Sequence, residues 1–435
     1  MNKNINTQLF DFIEKSPTAW HAAENTAEAL KAQGFTELYE GEDWTLAGGG
    51  KYFTRRNGSS VIAFKLPENH FRGFMIMAAH GDSPCFKVKF QPAVKAAGEY
   101  IQLNCERYGG MICSSWLDRP LSLAGRVLVK QNGKLRSKLV NIDRDLVMIP
   151  NVAIHMDRSA NDGKSYNANV DMLPLFSGAD GKMSFEDTLA EAAEAEKENI
   201  VSYDMFTYCR DKGTQWGANL EYISAPRLDD LQCAFSCLQG FLKAENGNSV
   251  PVLCIFDNEE VGSGTKQGAD SSFLEDTLSR ICEKQGMNRG DYLRALNQSF
   301  MVSADNAHAV HPNHPELADR NDRPKMNRGI VIKHNANQKY TTDGVSAAVF
   351  SEICGRAEVP VQSYTNRADM PGGSTLGNIS SAHVSIDSVD IGLAQLAMHS
   401  AYETAGADDT AYLIKAAEYF FGSAVRRQGE EIEIF

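Results

Sequence analysis

The stretch VPVLCIFDNEEVGS, residues 250–263, carries the pattern that decides the fold. Its first seven residues form a continuous apolar run, and Glu259 and Glu260 follow three residues later. A short apolar run without alternation is typical of a strand that is buried on both faces. Two adjacent carboxylates repel each other unless they face water or share a cation. The stretch therefore predicts a buried strand whose polar tip is either solvated or cation-binding.

The same pattern, an apolar run followed by polar residues, recurs along the chain and alternates with segments of helical periodicity. Three further apolar runs with polar tips are FRGFMIMAAHGDSP (71–84), SFMVSADNAHAV (299–310) and RGIVIKHN (328–335). Helical patterns cover residues 228–245, 272–286 and 406–428. Because strands and helices alternate, we predict an α/β fold in which a mixed sheet is flanked by helices on both faces.

Residues 91–224 have a different sequence pattern, which predicts mainly β-structure. Within LAGRVLVKQNGKLRSKLVNI, alternating residues flank an Asn132-Gly133 pair, the strongest short signal for a hairpin. Residues 184–200 predict an acidic, solvated helix, with Ser184 as N-cap and Asp187 three residues later. We predict a discontinuous α/β domain, 1–90 plus 225–435, that is interrupted by an inserted β-rich second domain at 91–224.

Charge and cysteine usage narrow the class of protein. The 435 residues include 43 basic and 56 acidic side chains, for a net charge of −13, which argues against nucleic acid or an anionic membrane as the main partner. The sequence contains no run of about 18 apolar residues, so it predicts no membrane-spanning helix. The first 30 residues do not resemble a secretory signal. The nine cysteines never form a Cys-x-x-Cys pair, so we expect core thiols in a reducing cytoplasm.

Polar side chains of one chemical kind follow several of the predicted strands. They are His80 and Asp82, then Glu259 and Glu260, then Asp305 with His308 and His311, together with Asp229 before a helix and His399. Ligands of open α/β sheets bind at the carboxyl ends of the strands. Imidazoles and carboxylates suit zinc, manganese or cobalt. Each residue also has an ordinary alternative as a structural histidine, a solvated acid or a helix cap, so the pattern alone leaves both interpretations open.

Seven collinear motifs resemble one known family. They are AAHGDSPCFKVK (78–89), SSWLDRPLSLAGRV (114–127), SAPRLDDLQCAF (224–235), FDNEEVGSGTKQGA (256–269), SADNAHAVHPN (303–313), GGSTLGNI (372–379) and LAQLAMHSAYET (393–404). Together they resemble the M18 family of metallo-aminopeptidases, the aspartyl aminopeptidase group. The resemblance covers nearly the whole chain.

The resemblance implies a centre with two divalent ions, with zinc expected and cobalt or manganese as alternatives. By the family pattern His80, Asp229 and Asp305 bind one ion. Asp229, Glu260 and His399 bind the other, so that Asp229 bridges the pair. Two cations would explain why so many carboxylates converge.

The resemblance also implies the catalytic roles. Asp82 is placed to accept the imidazole N–H of His80 and fix its tautomer. Glu259 is the expected general base, which takes a proton from a metal-bridging water and passes it to the leaving amine. The expected substrate is a peptide with a free N-terminus, cleaved after its first residue.

Substrate preference and assembly follow from the same resemblance. Most M18 members favour N-terminal Asp or Glu, and Lys333 and His308 match positions near the substrate. His155 matches a histidine of the inserted domain that reaches a neighbouring subunit. The family forms tetrahedral dodecamers built from dimers, which assigns dimerisation and oligomerisation to residues 91–224. This chain departs from the family at Asp230, where relatives commonly carry Asn.

Two alternative functions stay open at this point. A dinuclear zinc amidohydrolase that acts on small N-acyl compounds would use a related fold and the same ligand types. A non-enzymatic shell or binding protein would keep the fold without catalysis, although every expected ligand and Glu259 are present.

Overall fold

A computed structural model describes the chain except for Met1, Asn246 and Ser374. Ser374 belongs to the GGSTLGNI motif, so that position lies outside the described residues. The α-helices are α1 (Asn2–Glu14), α2 (Ala19–Ala32), α3 (Phe185–Ala192), α4 (Leu228–Lys243), α5 (Phe273–Lys284), α6 (Arg289–Asn297), α7 (Gly344–Arg356), α8 (Leu376–Ser380) and α9 (Asp409–Gly422). The short 3-10 helices are Cys113–Trp116, Lys197–Asn199, Glu259–Val261 and Pro315–Leu317.

The strands form one large and three smaller sheets. They are β1 (Thr36–Leu38), β2 (Lys51–Arg56), β3 (Ser60–Lys65), β4 (Phe74–His80), β5 (Cys85–Ala96), β6 (Tyr100–Tyr108), β7 (Leu121–Gln131), β8 (Lys134–Asn141), β9 (Leu175–Gly178), β10 (Ile200–Cys209), β11 (Thr214–Trp216), β12 (Tyr222–Ala225), β13 (Val250–Phe256), β14 (Phe300–Ala304), β15 (Ala307–His308), β16 (Ile330–His334), β17 (Val361–Thr365), β18 (Asp387–Gly392), β19 (Ala394–Leu396), β20 (Glu403–Gly406), β21 (Val425–Gln428) and β22 (Glu431–Ile434).

The large sheet places three polar strand tips side by side. Its nine strands run in the order β1-β2-β3-β13-β4-β14-β18-β16-β17. Strands β13, β4 and β14 are parallel neighbours, and Phe256 pairs with His80 at the carboxyl end. Because parallel strands end at the same edge, the residues that follow them meet there. The four apolar runs noted in the sequence are thus confirmed as strands, namely β4, β13, β14 and β16.

Helices cover both faces of this sheet, as the sequence predicts. Along β4, Met75, Met77 and Ala79 pack in one cluster with residues of α1, α2, α4, α7 and α9. The alternate residues, Ile76 among them, pack in a second cluster with residues of α5, α6 and α8. Strand side chains point alternately to opposite faces, so a strand that is buried on both sides must be apolar throughout. The expected α/β class with flanking helices is confirmed.

The second sheet is antiparallel and lies between Cys85 and Cys209 in the chain. Its order is β8-β7-β10-β5-β6-β9, and the β7–β8 hairpin turns at Asn132 and Gly133, with φ of 52° and 75°. These left-handed values are the ones that an Asn-Gly hairpin turn requires. The predicted hairpin is confirmed, whereas the division at residue 91, which falls inside β5, stays a prediction.

Two predicted helices are shorter than the periodicity indicates. The helix predicted over 406–428 is α9, Asp409–Gly422, and β21 then forms a hairpin with β22. After Ser423 the sequence has an alternating apolar pattern, which favours strands, so the chain forms this hairpin and does not continue the helix. The helix predicted over 184–200 is α3, because the chain turns into a left-handed conformation at Glu194, with φ of 46°. Its predicted capping box between Ser184 and Asp187 is confirmed.

The helices of the described residues also bear on membrane insertion. Within residues 2–245, 247–373 and 375–435, no helix combines the length and apolar composition needed to cross a bilayer.

Candidate metal centre

The strand tips bring the predicted ligands together. Three overlapping groups each have their ligand atoms within 4.8 Å of one another: His80 with Asp229, Asp230 and Asp305; His80 with Glu259 and Glu260; and Asp229 with Glu260 and His399. His80, Asp229 and Glu260 each belong to two of the groups, and a carboxylate shared in this way can bridge a pair of metal ions. The structure therefore places all five predicted ligands in one cluster.

Asp229 lies between the two histidines. Its Oδ1 atom is 3.6 Å from His80 Nε2, and its Oδ2 atom is 3.4 Å from His399 Nε2. On one side, Asp305 Oδ1 is 3.9 Å from His80 Nε2. On the other, Glu260 Oε2 is 3.4 Å from His399 Nε2. One carboxylate thus faces two separate sets of donors.

Both histidine rings direct an acceptor nitrogen at this cluster. Nδ1 of His80 lies 3.1 Å from the carbonyl oxygen of Asp82 and 3.3 Å from its Oδ1 atom. Nδ1 of His399 lies 2.5 Å from the carbonyl oxygen of Gly110. Because these oxygens can only accept, Nδ1 carries the proton in the neutral rings and Nε2 keeps a free lone pair. This is the tautomer that binds a metal through Nε2.

The donor set and its spacing fit a divalent cation. Asp229 Oδ1 and Glu260 Oε1 are buried, and no group among the described residues donates a hydrogen bond to either. Two ligands of one tetrahedral zinc ion lie about 3.4 Å apart, since each bond is about 2.0–2.2 Å long. The separations of 3.4–3.9 Å in this cluster are close to that value. Nitrogen and oxygen donors without thiolate suit zinc, manganese or cobalt.

The electrostatics of the cluster call for positive charge. Burial, reinforced by Asp305, Asp82 and Asp229, raises the pKa of Glu259 to about 8. Burial alone would lower the pKa of His399, but its carboxylate neighbours raise it to about 10. These shifts show crowded negative charge, which a bound cation would relieve.

Asp82 organises the residues around it. Its Oδ1 atom accepts hydrogen bonds from the backbone N–H of Glu259, at 3.2 Å, and faces His80. Its Oδ2 atom accepts from the backbone N–H of Glu260, at 3.2 Å, and from the hydroxyl of Tyr108, at 2.7 Å. A buried carboxylate with four donors is held rigidly. Asp82 therefore fixes both the imidazole and the double-glutamate turn.

Two further carboxylates hold the ligands: Asp230, the acid at which the sequence departs from the family pattern, and Glu403, to which the sequence analysis assigns no role. Glu403 is 2% exposed, and its two oxygens accept from the backbone N–H groups of His399, at 2.7 Å, and Asp229, at 3.0 Å. Asp230 is fully buried and accepts from the backbone N–H groups of His80 and Asn306, both at 3.2 Å. The position of Glu403 four residues after His399 is the one sequence signal that could have identified it.

The predicted substrate-binding residues lie in different places. Lys333 is 3% exposed, and its Nζ atom is 3.2 Å from Asp305 Oδ2. Burial alone would lower the pKa of Lys333, but the charge of Asp305 raises it. His308 stacks edge-on against Tyr364, with ring centroids 6.0 Å apart. His155 lies in an exposed turn outside all three groups of candidate ligands.

Comparison with known proteins gives one consistent result. A family model described as "Aminopeptidase I zinc metalloprotease (M18)" matches residues 12–421. A Clostridium novyi (strain NT) protein named "Probable M18 family aminopeptidase 2" is 45% identical over 422 residues, which are 95% of this chain and 98% of the relative.

Comparison with solved structures is consistent with this family match. The structure titled "Cryo-EM structure of the Ape4 and Nbr1 complex" superposes with a TM-score of 0.93 at 36% identity, covering 97% of this chain and 86% of that one. The S. cerevisiae mApe1 dodecamer gives a TM-score of 0.85 at 28% identity, covering 96% of each chain. The similarity extends over nearly the whole fold.

Proposed function

The chain belongs to the M18 family of zinc metallo-aminopeptidases, and from this premise we propose that it removes N-terminal Asp or Glu from peptides. The observation that carries the proposal is the convergence of four ligand-type side chains around the carboxylate of Asp229, with Glu259 beside them. A peptide bond is uncharged and unreactive, so its hydrolysis needs an activated water and a stabilised oxyanion.

We propose that the site holds two divalent ions, zinc by preference. His80, Asp229 and Asp305 would hold one ion, and Asp229, Glu260 and His399 the other. Such ions supply Lewis-acid polarisation of the substrate carbonyl and lower the pKa of a bound water. The two unpaired buried oxygens of Asp229 and Glu260 support this arrangement.

Glu259 is the proposed proton carrier. Its Oε2 atom is 3.9 Å from His80 Nε2, so the carboxylate borders the cluster. Its backbone is held by Asp82. The carboxylate accepts a proton from the attacking water and returns it to the amine that leaves. Its raised pKa of about 8 among these side chains would fall beside bound cations, which keeps the base ionised at neutral pH.

Lys333 and His308 are the proposed determinants of the acidic preference. Lys333 places a fixed positive charge beside Asp305, and this charge attracts a substrate carboxylate. Partial desolvation by the surrounding protein and the neighbouring Lys333 lower the pKa of His308, although the residue is partly open to solvent, and its neutral ring can donate one hydrogen bond.

We further propose a cytoplasmic dodecamer of tetrahedral symmetry, built from dimers through residues 91–224. The similarity to the mApe1 dodecamer and the free state of all nine cysteines support this assembly and location. The exposed His155 would then reach the site of a neighbouring subunit.

The proposed activity is tested by rates on a panel of N-terminal residue amides, each with a free amine and with an acetyl cap, after reconstitution with zinc, cobalt or manganese. We expect cleavage of free-amine substrates only, fastest for Asp and Glu. Turnover of capped substrates alone would instead establish the amidohydrolase alternative. A Lys333→Met variant should lose the acidic preference more than it loses the rate on N-terminal Ala.

A further inference from the structure

Tyr108 connects the antiparallel sheet to the candidate metal centre. It ends β6, and its hydroxyl donates to Asp82 Oδ2 at 2.7 Å while accepting from Asn258 Nδ2 at 2.8 Å. The side-chain oxygen of Asn258 in turn accepts from Thr265, at 2.9 Å, and Gln267, at 2.8 Å. This fixes the orientation of the Asn258 amide. The single hydroxyl proton of Tyr108 is therefore committed to Asp82.

The residues after Tyr108 contact the other half of the centre. Gly109 has φ of 75°, and a Cβ atom there would lie 3.1 Å from the Cβ of Glu260. The carbonyl oxygen of Gly110 lies 2.5 Å from His399 Nδ1, and the backbone N–H of Ile112 donates to the carbonyl oxygen of His399 at 3.0 Å. Segment 108–112 thus touches groups on both sides of the bridging Asp229.

We propose that Tyr108 is a positioning residue, and that segment 108–112, which begins at the last residue of β6, sets the metal affinity of the centre. This inference rests on the proposed metal ligands. Tyr108 acts through Asp82, which orients the His80 ring and the backbone of Glu259 and Glu260. Without the hydroxyl, Asp82 Oδ2 keeps a single donor, the Glu260 N–H, and the turn that carries both glutamates loses an anchor.

The test compares Tyr108→Phe with Tyr203→Phe. Tyr203 belongs to the same sheet, its hydroxyl donates to the carbonyl oxygen of Lys89 at 2.7 Å, and its ring packs against Phe90 and Phe185. Each variant removes one hydroxyl: Tyr108→Phe loses the hydrogen bonds to Asp82 and from Asn258, and Tyr203→Phe loses the one to Lys89. The zinc dissociation constant is measured by competition with a chromophoric chelator, and kcat and KM are measured on one peptide substrate.

We expect Tyr108→Phe to weaken zinc binding by about 10- to 100-fold, the loss that partners of metal ligands typically cause. Its kcat should fall with KM nearly unchanged, whereas Tyr203→Phe should keep the wild-type zinc affinity. If Tyr108 had only a structural role, Tyr108→Phe would lower the urea stability of the chelated protein, as Tyr203→Phe does, and would leave the zinc affinity unchanged. That result would overturn the proposal.

If the proposed aminopeptidase activity is wrong, the experiment gives a result that differs from a failure of the Tyr108 proposal. A wild-type chain that binds zinc but cleaves no peptide refutes the aminopeptidase assignment of this chain. The difference in zinc affinity between the two variants then still decides the role of Tyr108, because it is measured without substrate.

Discussion

Glu259 and Glu260 are adjacent in the chain, yet their carboxylates face different histidines. Glu259 Oε2 is 3.9 Å from His80 Nε2, and Glu260 Oε2 is 3.4 Å from His399 Nε2. The two residues begin a 3-10 turn, and Asp82 accepts a hydrogen bond from each of their backbone N–H groups. Two like charges on neighbouring residues can therefore have two separate roles, one as a ligand and one as a base.

Glu259→Gln should separate these roles. The amide cannot accept the proton of the attacking water, so we expect kcat to fall by about 10²- to 10⁴-fold, the usual contribution of a general base. Zinc content, measured by mass spectrometry, should stay at the wild-type level. Glu260→Gln is the matched variant one residue away, and there zinc content itself should fall. A Glu259→Gln enzyme with normal turnover would exclude Glu259 as the base.

Glu403 should control the geometry of two ligands at once. Glu403→Ala leaves the backbone N–H groups of Asp229 and His399 without their acceptor. We expect zinc affinity to weaken by about 10- to 100-fold. Glu403→Gln keeps one acceptor oxygen and should lie between the alanine variant and the wild type. Equal zinc affinity in all three proteins would show that the ligands hold their positions without Glu403.

The sequence predicts the strands and the ligand types well, because both depend on local patterns. Four apolar runs become β4, β13, β14 and β16. The polar tips of β4, β13 and β14 lie where a parallel arrangement puts them, whereas β16 runs antiparallel to its neighbour β18. The ends of α3 and α9 are predicted poorly, since a left-handed residue and a terminal hairpin stop these helices. The periodicity of apolar residues predicts that a helix forms, but it does not show where a left-handed residue or a hairpin ends that helix.

The supporting residues of the centre are harder to find in the sequence. Tyr108 meets Asp82 across 26 positions and from another sheet, and Glu403 meets Asp229 across 174 positions. Neither of these two contacts follows a spacing rule, because both depend on how the sheets pack. Ligands at strand ends follow from topology, whereas the groups that orient them follow only from tertiary structure.

Removal of metal should destabilise the protein. The buried carboxylates of the cluster repel one another once no cation lies between them, as the raised pKa of about 8 for Glu259 indicates. We expect the midpoint of thermal unfolding to fall by several degrees in EDTA and to recover with zinc, since a ligand at about 1,000 times its Kd stabilises by about 4 kcal/mol. Scanning fluorimetry measures this shift. Glu260→Gln should show a smaller recovery, and an equal one would place the stabilising ion elsewhere.

His21 should make the folded state sensitive to acid. Its ring nitrogen Nδ1 lies 2.8 Å from the hydroxyl oxygen of Thr18, and burial, with Arg227 nearby, lowers its pKa to about 4. The unfolded chain takes up a proton near pH 6.5, while the folded chain does not, so stability is lost as the pH falls from about 6.5 towards 4. Between pH 7 and pH 5 this loss is about 2 kcal/mol.

His21→Gln removes this titration and keeps a side chain that can bond to Thr18. We expect urea unfolding of the chelated wild type to lose about 2 kcal/mol more stability between pH 7 and pH 5 than the variant loses. The comparison isolates His21, because all other titrating groups are common to both proteins. Equal losses in the two proteins would mean that the folded chain protonates His21 as readily as the unfolded chain does.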